Sequence, residues 1–231
     1  MAAPSRPGAV VANASSSLAP TAPGFLAIEG ADGVGKSTVL RLLVQELVRR
    51  GGYKGYLFFH WKPVRNNLSY DAIPGDNPHD PRGKSPRNPF ASLIFLAHHW
   101  LGFQLGYWLF VRPAIRSGRL VVADRYSYDV LLDPTRFRLR LPVGILRLFV
   151  RTIPRPERTI LLHADPAVIR TRKPELTEEE IARYQSALLG CSFVRGAIPV
   201  ETADAPASIV SRILEKLTNS GKAAEREAPN P

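Results

Sequence analysis

Short apolar runs and helical patterns alternate along the middle of the chain. Apolar runs typical of buried strands cover residues 24–29, 55–60, 119–124, 159–163 and 198–201. After the first run, apolar residues recur at helical spacing from Val39 to Val48, and Gly51 and Gly52 end that pattern. Strands that alternate with helices form parallel sheets whose crossover helices cover both faces. The pattern therefore predicts an α/β fold with a five-stranded parallel sheet and helices on both faces.

Clear helix starts follow the fourth of these runs. Asp165 precedes Pro166, which is the order of an N-cap and a first helical residue. Thr177 stands three residues before Glu180, which matches a capping box. Two helices are therefore expected between the fourth and fifth strands.

The stretch at residues 88–111 contains no Lys, Arg, Asp or Glu, and its length would suffice to cross a bilayer. Gly102, Gln104 and Gly106 lower its hydropathy. A span here would also separate the two chemical motifs described below on opposite sides of a membrane. We expect instead a helix that is buried in the core, with a dimer interface as a further place of burial, because helices that are apolar all round are buried.

Both ends of the chain differ in composition from the part between them. Residues 1–22 are rich in Ala, Pro and Ser, and Arg6 is the only charged side chain there. Such a segment lacks the apolar surface needed to fold, and its apolar part is too short for a secretory signal. Residues 219–231 have a similar character. Two disordered tails are therefore predicted around one folded domain at residues 23–218.

Composition restricts the protein class further. The 231 residues are 45% hydrophobic and 22% charged, which is ordinary for a soluble globular domain. A single cysteine, Cys191, excludes an internal disulfide and a cysteine-based zinc site. This cysteine usage predicts a reducing, cytoplasmic location.

The formal net charge is +11, from 31 basic and 20 acidic residues, which predicts attraction to polyanions. Part of the basic excess lies in residues 136–158, a stretch that contains seven arginines and only one acidic residue, Glu157. A solvated basic face and contact with an anionic membrane surface both agree with these arginines. Nucleic acid is disfavoured as a partner, because no aromatic-interleaved binding motif accompanies them.

A phosphate-binding loop of the form G-x-x-x-x-G-K-[ST] lies at residues 30–37, between the first strand and the first helix. Its glycines let main-chain N–H groups turn inward around an anion, and the helix adds its positive N-terminal end. We expect Lys36 to reach the β- and γ-phosphates of ATP and Ser37 to ligate Mg²⁺. The predicted ATP-binding residues are Gly30, Ala31, Asp32, Gly33, Val34, Gly35, Lys36, Ser37 and Thr38.

A second motif, at residues 120–126, is an apolar strand that ends in Asp124 and is followed at once by Arg125. A carboxylate at such a strand end can hold the hydration shell of Mg²⁺, and a guanidinium presents a planar fork to a phosphate. We therefore predict that Asp124 joins Ser37 at the metal. Arg125 and Asp32 are predicted to face the phosphate acceptor.

Three segments together resemble the thymidylate kinase family of nucleoside monophosphate kinases. They are residues 25–38 (FLAIEGADGVGKST), 111–127 (VRPAIRSGRLVVADRYS) and 156–173 (PERTILLHADPAVIRTRK). The resemblance implies a three-layer P-loop NTPase fold that uses ATP and Mg²⁺. It also implies transfer of the γ-phosphate to the 5′-phosphate of a nucleoside monophosphate, dTMP or similar, usually by a homodimer. On this basis residues 23–218 form a P-loop kinase domain.

The resemblance also implies a lid at about residues 170–177. Phosphoryl transfer between anions needs cations that arrive as water leaves, and a closing loop can provide them. The phosphate-binding loop has no arginine, so the lid is expected to supply these cations. The predicted catalytic set is Lys36, Asp124, Arg125, Arg170, Arg172 and Lys173.

The acceptor side departs from the family pattern. Residues 60–63 (HWKP) stand where the family has Arg-Glu-Pro-Gly-Gly, and a Pro-, Asn- and Gly-rich loop at residues 66–88 follows. Alignment with the family's base-recognition helix makes Phe95 and His99 candidate substrate contacts. His99 then takes the place of an arginine that pairs with thymine.

Two carboxylates shortly after the second motif, Asp129 and Asp133, are further candidate substrate contacts. A hydroxyl acceptor profits from a positioned base, whereas a phosphate acceptor is already a nucleophile. One alternative is therefore a kinase that acts on a nucleoside or sugar hydroxyl with Asp129 or Asp133 as base. Both residues are also suited to pairing with nearby arginines.

An alternative of another class is an ATP-binding switch or scaffold that docks through its arginine-rich face. The sequence does not identify the acceptor.

Overall fold

The computed structural model describes residues 23–74, 85–174, 176–192, 194 and 196–227. One six-stranded sheet forms its centre, in the order β3-β2-β4-β1-β5-β6. The strands are β1 (Phe25–Gly30), β2 (Tyr56–His60), β3 (Leu68–Tyr70), β4 (Leu120–Asp124), β5 (Arg158–His163) and β6 (Ala197–Glu201). Every neighbouring pair is parallel except β2 and β3. The predicted α/β class and the five parallel strands are confirmed.

The sixth strand, β3, corrects the predicted strand number. A 3₁₀ turn at Arg65–Asn67 reverses the chain, so that Leu68–Tyr70 pairs antiparallel with β2. It lies in a segment interpreted from sequence as the beginning of a loop. Three residues are too few for a periodic pattern, so the neighbouring edge of β2 makes this strand.

Eight α-helices and one π-helical segment accompany the strands in the described ranges. They are α1 (Lys36–Gly51), α2 (Pro89–Gly106), the π-helical segment Tyr107–Val111, α3 (Arg112–Arg116), α4 (Asp129–Leu132), α5 (Val143–Thr152), α6 (Pro166–Arg172), α7 (Glu178–Leu189) and α8 (Pro206–Glu227). The predicted caps are present: Asp165 accepts from the Ala167 N–H, and Thr177 and Glu180 form the capping box.

The last helix runs further than the sequence predicted. Helix α8 continues to Glu227, past residue 218, where the folded part was expected to end. Alanine, lysine, glutamate and arginine dominate residues 221–227, and these residue types favour a helix once a preceding segment has started one. The predicted N-terminal tail at residues 1–22 and the last residues, 228–231, lie outside the described residues.

Two apolar clusters cover the two faces of the sheet. Successive side chains of a strand point to opposite faces, so Leu26 and Ile28 join one cluster while Phe25 and Ala27 join the other. Helices α1 and α8 complete the first cluster, and α2 and α5 contribute to the second. This is the predicted arrangement with helices on both faces. It places the carboxyl ends of the parallel strands, and the loops that follow them, along one edge of the sheet.

The uncharged stretch forms α2 and the π-helical segment, and it is only partly buried. Leu96, Phe103 and Gly106 face the second cluster. The opposite face of α2 is exposed; we call it the α2 apolar face, and it consists of Phe90, Leu93, Ile94, Leu101 and Leu105. The prediction that this helix is buried in the core is therefore only partly met. None of the helices in the described ranges combines the length and hydropathy that a membrane span requires.

Candidate active site

The phosphate-binding loop connects β1 to α1 at the carboxyl edge of the sheet. Gly35 caps α1 with a positive φ of 95°, and no side chain caps this helix end. The first main-chain N–H groups of α1 can therefore donate hydrogen bonds to a bound anion. Within the loop, Ala31 and Val34 are buried, and Thr38, which follows it, is exposed. Ser37 is the second residue of α1, where the sequence predicted a metal ligand.

The loop approaches the segment predicted as a lid. Gly33 has a φ of 90°, and a Cβ atom at this position would lie 2.8 Å from Cγ of Lys173. Arg172 donates from Nη1 to the Gly33 carbonyl at 3.4 Å. Two of the three predicted lid cations thus lie beside the loop. The third, Arg170, pairs with Glu178 at 3.2 Å between Nη1 and Oε1.

Lys36 is buried, with 8% of its side chain exposed. Its Nζ donates to the carbonyl oxygens of Gly30 and Ala31, each at 2.9 Å, and lies 3.7 Å from the Asp32 carboxylate. Burial and then the nearby Arg125 lower the pKa of Lys36 to about 8. A desolvated ammonium on a phosphate-binding loop is well placed to interact with phosphate oxygens.

Asp124 ends β4, next to β1, and its Cα pairs in register with that of Ile28. One carboxylate oxygen, Oδ2, lies 3.1 Å from Nδ1 of His60. Burial by itself would raise the pKa of Asp124, but the His60 hydrogen bond and the charge of Lys36 outweigh it and hold the pKa below its ordinary value. The other oxygen, Oδ1, is buried and has no hydrogen-bond partner among the described residues.

This orphaned oxygen fits a cation or its hydration shell, because Mg²⁺ prefers carboxylate oxygens and waters. Within the described ranges, no cluster of three or more His, Cys, Asp and Glu side chains could hold a metal ion alone. A Mg²⁺ ion here would therefore depend on Asp124, on Ser37 and on phosphate oxygens of the donor. The residues present fit such an ion.

Arg125 joins the two motifs. Its main-chain N–H donates to the Ile28 carbonyl at 2.9 Å, and its Nη2 donates to Asp32 of the phosphate-binding loop. It is 3% exposed and has a φ of 65°, which is uncommon for a residue with a side chain. Strained backbone of this kind persists where the surroundings hold it, often in functional sites.

Asp129 is enclosed behind Arg125. Its side chain is 1% exposed; Oδ2 accepts from Arg125 Nη1 at 2.9 Å, and Oδ1 accepts from the Tyr184 hydroxyl at 2.9 Å. Both oxygens therefore have partners within the protein.

Asp32 is surrounded by cationic side chains. Burial alone would raise the pKa of Asp32, but Arg125, Lys36 and then Arg136 lower it far below its ordinary value.

A cavity of about 280 Å³ opens between the phosphate-binding loop, the segment after α4, and α7. Its polar lining includes Asp32, Arg125, Asp133, Arg136, Arg183 and Tyr184. Three of these, Asp32, Arg125 and Asp133, are predicted substrate contacts, so the structure brings them together. Asp133 itself accepts from the Arg136 N–H at 3.1 Å.

The two predicted base contacts do not line this cavity. Phe95 and His99 lie on α2 within an aromatic cluster that also contains Trp61 and Phe137. Trp61 stacks on Phe137 with ring centroids 4.9 Å apart, and Nδ1 of His99 lies 2.8 Å from Nζ of Lys62. Burial and then the Lys62 charge lower the pKa of His99 to about 3. His99 is therefore neutral and accepts a hydrogen bond from the Lys62 ammonium.

Several residues of this site were not identified from sequence. Arg136, Arg183 and Tyr184 line the cavity. Glu29, the second-last residue of β1, is fully buried. Burial and then Asp129 raise the pKa of Glu29 well above its ordinary value. The arginine-rich stretch marked Arg136 only as one basic residue among several. Nothing in the spacing related it to Asp32, because that contact joins segments far apart in the chain.

No family model matches the chain, but a curated protein and a solved structure are similar to it. A probable thymidylate kinase of Pyrobaculum aerophilum is 29% identical over 175 residues, which cover 71% of this chain and 77% of that protein. The crystal structure of a thymidylate kinase from Ehrlichia chaffeensis matches with a TM-score of 0.54 at 12% identity. That match covers 84% of this chain and 97% of the other, and it shows a shared fold.

Proposed function

We propose that this chain, which is thymidylate kinase-like in sequence and fold, transfers the γ-phosphate of ATP to the 5′-phosphate of a nucleoside monophosphate, dTMP or similar. Both matched proteins bear the name of a nucleoside monophosphate kinase class. The kinase domain in this proposal spans residues 23–218, with its lid at about residues 170–177.

One observation carries the proposal: Arg125 connects the phosphate-binding loop to the end of β4. It bonds to Ile28 and Asp32 on the β1 side while following Asp124 directly in the chain. This contact supports the proposal that donor phosphates, metal and acceptor bind side by side at one edge of the sheet. Phosphoryl transfer depends chiefly on such positioning and on electrostatic stabilisation.

Each residue has a role set by its charge and position. Lys36 and the first N–H groups of α1 bind the β- and γ-phosphates, while Asp124 and Ser37 hold Mg²⁺. Bound Mg²⁺ supplies positive charge to the phosphate oxygens during transfer. Arg125 orients the acceptor, and Arg172 and Lys173 add positive charge beside the loop, with Arg170 further along the lid. Exclusion of water by the lid strengthens these interactions.

A kinase for hydroxyl acceptors remains the second candidate, and one observation favours it. Asp133 lines the cavity together with Arg125, so the cavity contains a carboxylate of the kind that a base for a hydroxyl acceptor requires. Asp129 is less suited to that role, because both of its oxygens are occupied by Arg125 and Tyr184. Under this alternative, thymidine or a simple sugar would be phosphorylated while dTMP would not.

We also propose that the protein forms a homodimer in the cytoplasm. The α2 apolar face presents several large apolar side chains along one side of a single helix, and such a surface is typical of a protein interface. This proposal draws on the resemblance, which implied a homodimer.

An acceptor assay tests the proposed function. Purified protein is given labelled ATP and Mg²⁺ with dTMP, dUMP, UMP, CMP, deoxynucleosides and simple sugars in parallel. We expect transfer to a monophosphate, and a loss of about 10²–10³-fold in kcat for Lys36→Ala and Asp124→Asn, in keeping with loss of one strong electrostatic contact. Wild-type rates in both variants would contradict the assigned roles. Transfer only to unphosphorylated acceptors would support the alternative.

A further inference from the structure

Arg136 approaches the phosphate-binding loop from a segment that the two motifs do not include. Its Nη1 donates to Oδ2 of Asp32 at 3.1 Å, across more than a hundred residues of chain. Its side chain is 18% exposed, and it lines the same cavity as Arg125. The position is therefore partly solvent-accessible and faces the place proposed for the acceptor.

A single carboxylate bridges two guanidinium groups at this place. Asp32 accepts from Arg125 through Oδ1 and from Arg136 through Oδ2. The two oxygens of a carboxylate and two oxygens of a phosphate present similar targets to an arginine fork. The arginine pair is thus arranged to hold an anion with two oxygens.

The two arginines differ in how firmly the protein holds them. Arg125 is 4% exposed at its side chain and is fixed from behind by Asp129, which the Tyr184 hydroxyl also binds. Arg136 belongs to the segment after α4, where Asp133 accepts from its main-chain N–H. A fixed arginine and a more exposed one, with one anion between them, form a clamp whose outer half lies at the cavity.

We propose that Arg136 is a specificity-determining residue that binds the phosphate of the acceptor together with Arg125. Before the acceptor binds, Asp32 bonds to both guanidinium groups, and the phosphate then displaces it. The inference rests on the proposed function, since it deepens the acceptor site of that reaction. It assigns the acceptor class as phosphate-bearing and makes the discrimination against unphosphorylated compounds a property of Arg136. It assigns no role to Phe95 and His99, which lie outside this cavity.

Binding and kinetics of matched variants test the clamp. Isothermal titration calorimetry with dTMP and with inorganic phosphate compares the wild type with Arg136→Gln, Arg136→Lys and Asp32→Asn. Arg140→Gln serves as control, since Arg140 belongs to the same segment and is exposed. Circular dichroism melting curves identify any variant that fails to fold.

We expect Arg136→Gln to weaken dTMP and phosphate binding about tenfold or more, the usual effect of losing a charge-assisted hydrogen bond. Its KM for dTMP should rise with little change in kcat, and thymidine should be affected less than dTMP. Arg136→Lys should recover part of the loss, because it keeps the charge without the planar fork. Asp32→Asn should bind inorganic phosphate more tightly, because the competing carboxylate is neutralised.

Two outcomes would overturn the clamp: dTMP and phosphate affinities of Arg136→Gln equal to those of Arg140→Gln, or an Arg136→Gln variant that loses kcat with its KM unchanged. A wild type that binds neither dTMP nor phosphate would overturn it as well. A different result tests the proposed function separately. If the wild type binds dTMP through Arg136 but transfers no phosphate to it, the clamp stands and the proposed reaction fails.

Discussion

Replacement of Asp129 by Asn tests whether this carboxylate positions Arg125 or acts as a base. Asp129 is 1% exposed at its side chain and bonds to Arg125 Nη1 at 2.9 Å and to the Tyr184 hydroxyl at 2.9 Å. Asparagine keeps the shape of the side chain but removes its charge, and one of the two acceptor oxygens is replaced by an amide nitrogen, which donates. A buried cation then loses one of its two carboxylate partners.

Loss of one partner from a buried ion pair costs about 3–5 kcal/mol. Arg125 retains Asp32, so we expect the lower end, about 3 kcal/mol, which lowers Tm by about 6–12 °C in a protein of this size. Glu178→Gln is the control, because its pair with Arg170 is exposed at 46% and 56% and contributes only about 0–1 kcal/mol.

Urea and thermal unfolding measure the change, and steady-state kinetics accompany them. A positioning role predicts that Asp129→Asn loses stability and acceptor affinity together. An Asp129→Asn variant as stable as Glu178→Gln would refute the buried-pair reasoning. Retained stability with kcat reduced by orders of magnitude would point to the base role instead.

Two further predictions concern α2. His99 has a pKa of about 3 in the folded protein and about 6.5 when unfolded. Between these two pH values His99 binds a proton in the unfolded state but not in the folded state. The free energy of unfolding therefore falls as the pH decreases from about 6.5. In urea unfolding between pH 4 and 7, His99→Gln should lose less stability on acidification than the wild type, and equal pH dependence would contradict this account. For the α2 apolar face, we expect Leu101→Glu to be monomeric in light scattering and the wild type to be dimeric. Leu189→Glu, which changes a similarly exposed leucine on α7, should remain dimeric. A monomeric wild type would contradict the proposed dimer.

The sequence by itself determined the five parallel strands, the phosphate-binding loop and the Asp124–Arg125 motif at the end of β4. These features are local: apolar runs set the parallel strands, the glycines allow the turn before α1, and Asp124 and Arg125 follow their strand directly. Parallel strands also bring their carboxyl ends to one edge, so the sequence placed Lys36 and Asp124 on the same edge of the sheet. The structure shows that their strands, β1 and β4, are neighbours.

Only the tertiary structure determined the contacts of the proposed acceptor side. The Asp32 contact with Arg136 and the Asp129 contact with Tyr184 join segments far apart in the chain, and no spacing encodes them. The antiparallel strand β3 likewise depends on the neighbouring edge of β2 rather than on its own three residues. Periodicity and motifs report how a segment interacts with its neighbours in sequence. The charges proposed to select an acceptor are instead brought together by packing between distant segments.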